Sequence, residues 1–181
     1  MKKPKETILH LGCGPKKIPG AVGVDINKNI GADVVHDLNR FPYPFKSNYF
    51  DKVIAQNIME HLQNIPKVME ELHRICKNGA NLIITTGHFS GIDSFTDPTH
   101  IHFFTSRTFD YFIPGTDLFE LQYSKAKYRK IKIQLGPKKS SFPLNLILKL
   151  VNTYPVIYEK RFAFIFPIGV ISYELQIVKD K

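Results

Sequence analysis

Two short apolar runs near the start of the chain end in ways that few folds accommodate. Ile8-Leu9-His10-Leu11 stops at Gly12-Cys13-Gly14-Pro15, and Val22-Gly23-Val24 stops at Asp25. Glycine lacks a Cβ, so Gly12 and Gly14 permit a tight turn at a strand end and let a ligand approach the main chain. A carboxylate closing the next strand can accept hydrogen bonds from both hydroxyls of a ribose. A pyrophosphate loop of this kind reads G-x-G-x-x-G, and Lys17 stands at its third glycine position. The pattern points to a nucleoside ligand without a pyrophosphate.

Further apolar runs continue the pattern. Residues 7–11, 22–25, 33–36, 52–57 and 81–86 read as strands, mostly buried on both faces. Ile65, Val68, Met69, Leu72 and Ile75 recur at helical spacing between Pro66 and the stop signal Asn78-Gly79, which predicts a helix over 65–76. Thr105 as cap and Pro114-Gly115 as stop frame a shorter helix over 106–112. Beyond residue 117 the period changes to two. Ile131, Ile133 and Leu135 alternate with Lys130, Lys132 and Gln134, and Tyr173, Leu175 and Ile177 alternate with Glu174 and Gln176. Such alternation marks antiparallel strands at a sheet edge. Only ten residues, Pro15, Pro19 and Gly20 among them, separate Gly14 from Asp25, so the first crossover is read as a loop or single turn.

The motifs from Leu11 to Gly14 and at Asp25, followed by Asp37-Leu38, Phe41-Pro42-Tyr43-Pro44-Phe45, the run from Asn48 to Ile54, and Met59-Glu60-His61-Leu62, stand in a fixed order. In that order they resemble the class I S-adenosylmethionine-dependent methyltransferases, especially small bacterial "type 11" members, over roughly residues 7–110. The resemblance implies an α/β, Rossmann-like, doubly wound and mostly parallel seven-stranded sheet. It also implies an antiparallel C-terminal strand pair, with an apolar insert between the last two strands. A single domain over 1–181 is expected, with a cofactor-binding core over about 7–117 and an insert or cap over about 136–169. The implied cofactor is S-adenosylmethionine. Its methionine portion would lie against the backbone of Leu11, Gly12, Cys13 and Gly14, its ribose on Asp25, and its adenine on Ile26, Asp37 and Leu38. Gln56 and Asn57 would lie beside the sulfonium. With no regular first helix, Lys16 or Lys17 could supply positive charge for the cofactor carboxylate, the default reading of both being solvated loop lysines. Asp51, ahead of its strand and away from that edge, is read as structural.

Methyl transfer from a sulfonium needs alignment above all, and an oxygen or nitrogen acceptor also needs a base. The candidates lie after the fifth strand, in Gly87-His88-Phe89 and Asp97-Pro98-Thr99-His100-Ile101-His102-Phe103-Phe104. The second segment resembles a stretch of bacterial methyltransferases linked to polysaccharide and cell-envelope genes. Three readings are open. His88, His100 or His102 is a general base oriented by Asp97, since imidazole titrates near neutrality. Alternatively, the histidines shape the loop. Or His100 and His102 share a face of an extended chain and bind a metal; spacing alone does not support this, and no metal ligand is assigned.

The charge of +9 is uneven. Residues 21–121 carry eight basic and twelve acidic side chains, and residues 122–181 carry twelve basic and three acidic, so net −4 gives way to net +9. A basic tail attracts nucleic acid, anionic lipid or phosphorylated substrates, or is a solvated surface. The insert's Phe142, Pro143, Leu144, Leu146, Ile147, Leu148, Leu150, Val151, Tyr154 and Tyr158 form a packed subdomain or dimer contact, the favoured reading, or a lid, or a membrane-facing patch beside Lys138, Lys139, Lys149, Lys160 and Arg161. The expected function is methyl transfer to a small-molecule, glycan or lipid-linked acceptor. The alternatives are an RNA methyltransferase, which the basic tail alone supports, and a non-catalytic nucleoside-binding regulator. Residues 55–58, Ala-Gln-Asn-Ile, lack the Asn/Asp-Pro-Pro-Tyr arrangement of enzymes that methylate exocyclic amines of DNA. Two cysteines without a C-x-x-C pair, and no apolar signal core after the basic start, place the chain in the cytoplasm, with peripheral contact at the inner membrane face as an extension.

Overall fold

The computed structural model describes residues 6–137 and 141–180. Seven strands form one sheet in the order β3-β2-β1-β4-β5-β7-β6. They are β1 (Ile8–Leu11), β2 (Val22–Asp25), β3 (Val34–Val35), β4 (Phe50–Gln56), β5 (Cys76–Gly87), β6 (Lys127–Leu135) and β7 (Val170–Val178). The first five pair in parallel, and β7 runs antiparallel between β5 and β6. The order reverses beside β1, so β1 and β4 send their following loops to opposite sides of one crevice at the carboxyl edge.

Few helices cover this sheet. No helix interrupts residues 12–21, and the β2–β3 connection holds one 3-10 turn, Lys28–Ile30, capped by the Asn27 side chain accepting from the Asn29 N–H. The main helix, α1 (Ile65–Ile75), opens where the Asn64 side chain accepts from the Lys67 N–H at 3.0 Å, with Pro66 in its first turn. Its five spaced apolar residues are all buried. They join Leu9, Leu11, Val53, Ala55, Leu82 and Ile84 in one core. The opposite sheet face carries Ile8, Lys52, Ile54, Asn81, Ile83, Thr85, Ser172 and Glu174, all partly exposed. The expectation of strands buried on both faces therefore holds poorly for β4 and β5. Crossovers this short carry no helix to cover the second face.

Two further boundaries differ from the sequence reading. Helix α1 stops at Ile75 and passes directly into β5, while Lys77, Asn78 and Gly79 bulge out where the β4–β5 register shifts. Gly79 takes φ +79°, so the Asn-Gly signal marks a bulge and not a helix stop. Residues 106–112 form only a 3-10 turn, Thr108–Phe112. The Thr105 hydroxyl does accept there, from the Arg107 N–H at 3.2 Å.

The insert is helical, with α3 (Leu144–Thr153) and α4 (Pro155–Arg161) after a single-turn α2 (Asp93–Thr96) earlier in the chain. The Asn152 side chain clasps β6, accepting from the Leu135 N–H at 2.7 Å and donating to the Leu135 carbonyl at 2.9 Å. Leu148, Val151 and Tyr158 are buried, so these three anchor the insert and are not part of a free apolar patch. Lys138 and Lys139 lie outside the described residues.

Candidate functional site

At the carboxyl edge of β1–β3, a pocket of about 140 Å³ is lined by Gly12, Asp25, Ile26, Asp37 and Leu38, together with His36, Asn39, Ile58, His61 and Leu62. Gly12 takes φ +60°, and a Cβ on it would meet Ile58 Cγ1 at 2.5 Å. Backbone conformation and the close approach of Ile58 both require glycine there. Gly14, at φ +52°, donates its N–H to Asp25 Oδ2 at 2.9 Å, while Asp25 Oδ1 accepts from Asn27 at 2.9 Å. Asp25 thus braces the glycine loop and still keeps acceptor capacity on both oxygens. Ile26 beside it is 67% exposed, an unusual setting for a large apolar side chain at a pocket wall.

The cofactor assignment of Leu11 and Cys13 concerns their backbone, and their side chains point away from the loop surface. Leu11 and Cys13 are buried side chains behind the loop, where burial and the nearby Asp25 carboxylate push the Cys13 thiol up. Gln56 lines neither pocket, and Asn57, at φ +48°, lines the neighbouring one. Lys17 pairs with Asp33 at 2.7 Å, so it is not a free charge beside the glycine loop. Asp51 is structural as read. It accepts from the Thr7 hydroxyl and N–H and from Lys77, which holds its carboxyl down at about 2.

A second cleft, about 770 Å³, is lined by Asn57, Glu60, His61, Thr86, Asp93, Thr96, Asp97 and His100, with Gly87, Pro98, Gly169 and Val170. His61 lines both cavities and forms their shared wall. The segment 100–102 is docked by main-chain bonds, since the Ile101 and His102 N–H groups donate to the Glu60 carbonyl at 2.9 and 3.3 Å. The His61 and His100 rings meet edge to face, with centroids 4.7 Å apart. Asp97 accepts from the Thr99 hydroxyl at 2.7 Å and the Thr99 N–H at 2.9 Å, contacts that hold its carboxyl below the usual range.

Two of the three histidines singled out from the sequence leave this cleft. His88 is fully buried and faces the insert, with Nε2 3.3 Å from Glu159 Oε1 and Nδ1 2.8 Å from the Ser90 hydroxyl. Just past β5 the His88 ring turns onto Glu159 of the insert and does not line the cleft. Glu159 also accepts from the Ser106 N–H at 2.5 Å and the Ser106 hydroxyl at 2.7 Å. His88 is thus a clasp between sheet and insert, out of reach of an acceptor. His102 lines neither cavity, so His100 and His102 do not act as a pair. The sequence pattern assigns no chemistry to Glu60 and His61, although they lie in the turn Met59–His61 that follows the fourth strand, where α/β sites gather.

A methyltransferase-domain family model matches residues 9–84. No curated protein matches the sequence significantly. The chain is similar to the solved structure of an S-adenosylmethionine-dependent methyltransferase from Archaeoglobus fulgidus, with 18% identity, TM-score 0.61, and coverage of 94% of this chain and 86% of that one. It is also similar to one from Mesorhizobium loti, with 10% identity, TM-score 0.60, and coverage of 94% and 90%. A third similarity is to Haemonchus contortus phosphoethanolamine N-methyltransferase 2 in complex with S-adenosyl-L-methionine, with 12% identity, TM-score 0.57, and coverage of 97% and 50%. At such identities the likeness is one of fold.

Proposed function

We propose that this protein, a class I S-adenosylmethionine-dependent methyltransferase, methylates a hydroxyl of a glycan-type acceptor seated in the larger cleft. The observation that carries the reading is His61, which walls both the pocket beside Asp25 and the cleft beside Asp97. Donor and acceptor would meet across one side chain. The smaller pocket fits the donor: an open glycine backbone, a carboxylate with spare acceptor capacity, and the exposed apolar Ile26 suit a loop, a ribose and a flat base respectively. When bound, S-adenosylmethionine supplies a methyl group already activated on a sulfonium. Asp25 would hold the ribose, Ile26 and Leu38 would flank the adenine, and Asp37 would accept from its amino group.

The cleft wall offers carboxylates at Glu60, Asp93 and Asp97 and imidazoles at His61 and His100. Such a wall suits an acceptor rich in hydroxyls, and alignment there contributes most of the rate. The proton leaving the acceptor is managed where Glu60, His61 and His100 converge. Incubating the protein with methyl-labelled cofactor and a panel of sugars, nucleotide sugars, lipid-linked glycans and RNA tests this. Label in a glycan fraction is expected; label confined to RNA would overturn it. Three basic side chains of β6 already have partners in the fold, Lys127 with Asp180, Lys130 with Asp110 and Arg129 with Gln176, which weakens the RNA alternative.

A lipid carrier for that acceptor draws support from the insert. Phe142, Leu146, Leu150, Phe164 and Ile165 are each at least 62% exposed, and Lys149, Lys160 and Arg161 lie among them in sequence. Among the described residues no helix is long and apolar enough to cross a membrane. The mode would be interfacial. Sedimentation with anionic vesicles should fall several-fold in a Leu146→Ser/Leu150→Ser variant; equal sedimentation would remove the lipid reading.

A further inference from the structure

We propose that Glu60, His61 and His100 form a binding site for a first-row divalent cation, open toward the acceptor cleft. One ligand atom from each lies within 4.8 Å of the other two. Bonds of about 2.0–2.2 Å from oxygen and imidazole nitrogen require donor atoms about 3–3.5 Å apart. Closing on an ion therefore takes side-chain shifts of about an ångström.

Two independent features point to a ligand. The first is Glu60, which is 3% exposed and whose Oε2 has no hydrogen-bond partner among the described residues. A buried carboxylate oxygen left unpaired is costly, and a cation removes that cost. The second is the direction of the imidazole protons. The Thr99 hydroxyl commits its one proton to Asp97 Oδ1 at 2.7 Å, so it can only accept from His61 Nδ1–H at 2.9 Å. The Ser94 carbonyl can only accept as well, and it lies 3.2 Å from His100 Nδ1. Both rings thus carry a proton on Nδ1, so in the neutral imidazole Nε2 is the nitrogen with the lone pair; that of His100 lies 3.9 Å from Asp97 Oδ2. A backbone carbonyl or a carboxylate-linked hydroxyl behind the far ring nitrogen is the usual support of metal-binding histidines.

Two imidazoles and one carboxylate make the ligand set of zinc and non-haem iron sites that keep positions free. Here the free positions face the cleft, where an acceptor hydroxyl can enter. That role rests on the cleft being the acceptor site; the binding of the cation does not.

The test uses the tag-free full chain, stripped with a chelator and titrated with Zn²⁺, Mn²⁺ or Co²⁺ alone. Calorimetry should show one equivalent per chain, and bound Co²⁺ should give a visible d–d absorption band. Glu60→Gln, His61→Ala and His100→Ala should each weaken binding by at least about 100-fold. Thr99→Val, which removes the hydroxyl behind His61 together with its bond to Asp97, should weaken it by about 10- to 100-fold. His73→Ala, outside the site, should bind as the wild type does. Glu60→Gln preserves shape, so it remains informative where a histidine variant fails to fold by circular dichroism. No stoichiometric binding of any of the three ions, or equal binding by the Glu60→Gln chain, overturns the proposal. Label transfer to the acceptor panel would be untouched by that failure, so the two readings fail separately.

Discussion

Single side chains divide here into those that hold shape and those that face ligand, and the division is testable. Asp25 does both. Asp25→Ala should weaken S-adenosylmethionine binding by about 1.5–3 kcal/mol, the scale of hydrogen bonds to a charged group, as measured by calorimetry on a folded variant. Unchanged affinity would remove Asp25 from the cofactor site. His88 and Glu159 should show the opposite pattern. Glu159→Gln loses charge-assisted bonds from Ser106 and His88, and should cost about 1.5–3 kcal/mol in urea denaturation while cofactor affinity stays within about twofold. If His88→Ala instead lowered turnover with stability intact, His88 would return to the catalytic set. Spacing alone could not separate His88 from His100. Both follow the fifth strand, and only tertiary contacts turn one onto Glu159 of the insert and leave the other in the cleft.

At the scale of elements, α1 covers the β1, β4 and β5 part of the buried sheet face, while Phe109 and Phe112 pack on Tyr173 of β7 and Tyr128 of β6. Leu72 is fully buried among Val68, Met69 and the strands. Leu72→Ala should cost about 2–5 kcal/mol by thermal or urea unfolding, toward the upper end because no second helix layer can collapse into the cavity. A loss below about 1 kcal/mol would mean the core relaxes freely. The α1 pattern was legible because five apolar residues at period 3.6 have one reading. The passage from α1 to β5 was not, since Asn78-Gly79 serves a helix end and a strand bulge equally well. Which one occurs depends on where β4 pairs, and that pairing is non-local.

For the whole molecule, the Thr7–Asp51–Lys77 cluster ties the starts of β1, β4 and β5 together. Hydrogen bonds from Lys77 and Thr7 lower the Asp51 carboxyl from 3.8 to about 2. Its stabilising contribution is complete above about pH 4 and disappears as pH falls from 3.8 through about 2. The stability gap between wild type and Asp51→Asn should therefore be constant from pH 7 to 5 and shrink below 4. Solvent screening of this half-exposed carboxylate keeps the gap within about 1 kcal/mol. A gap that grew on acidification would contradict the assignment.

The sequence by itself determined the strand series, the glycine loop, the carboxylate at the end of β2 and the missing first helix. Each of these depends on local chemistry: apolar runs, backbone freedom at glycine, and proline in a connection of ten residues. Tertiary structure decided the rest. It brought Glu60 and His61 from behind β4 against His100 from beyond β5, aimed both Nε2 lone pairs by bonds to Thr99 and Ser94, and turned His88 away. Apart from the His100–Ser94 bond, which spans six positions, those facts rest on contacts between residues about forty to seventy positions apart in the chain. No local pattern records them, because main-chain pairing along the sheet fixes the loops before any side chain can choose a partner.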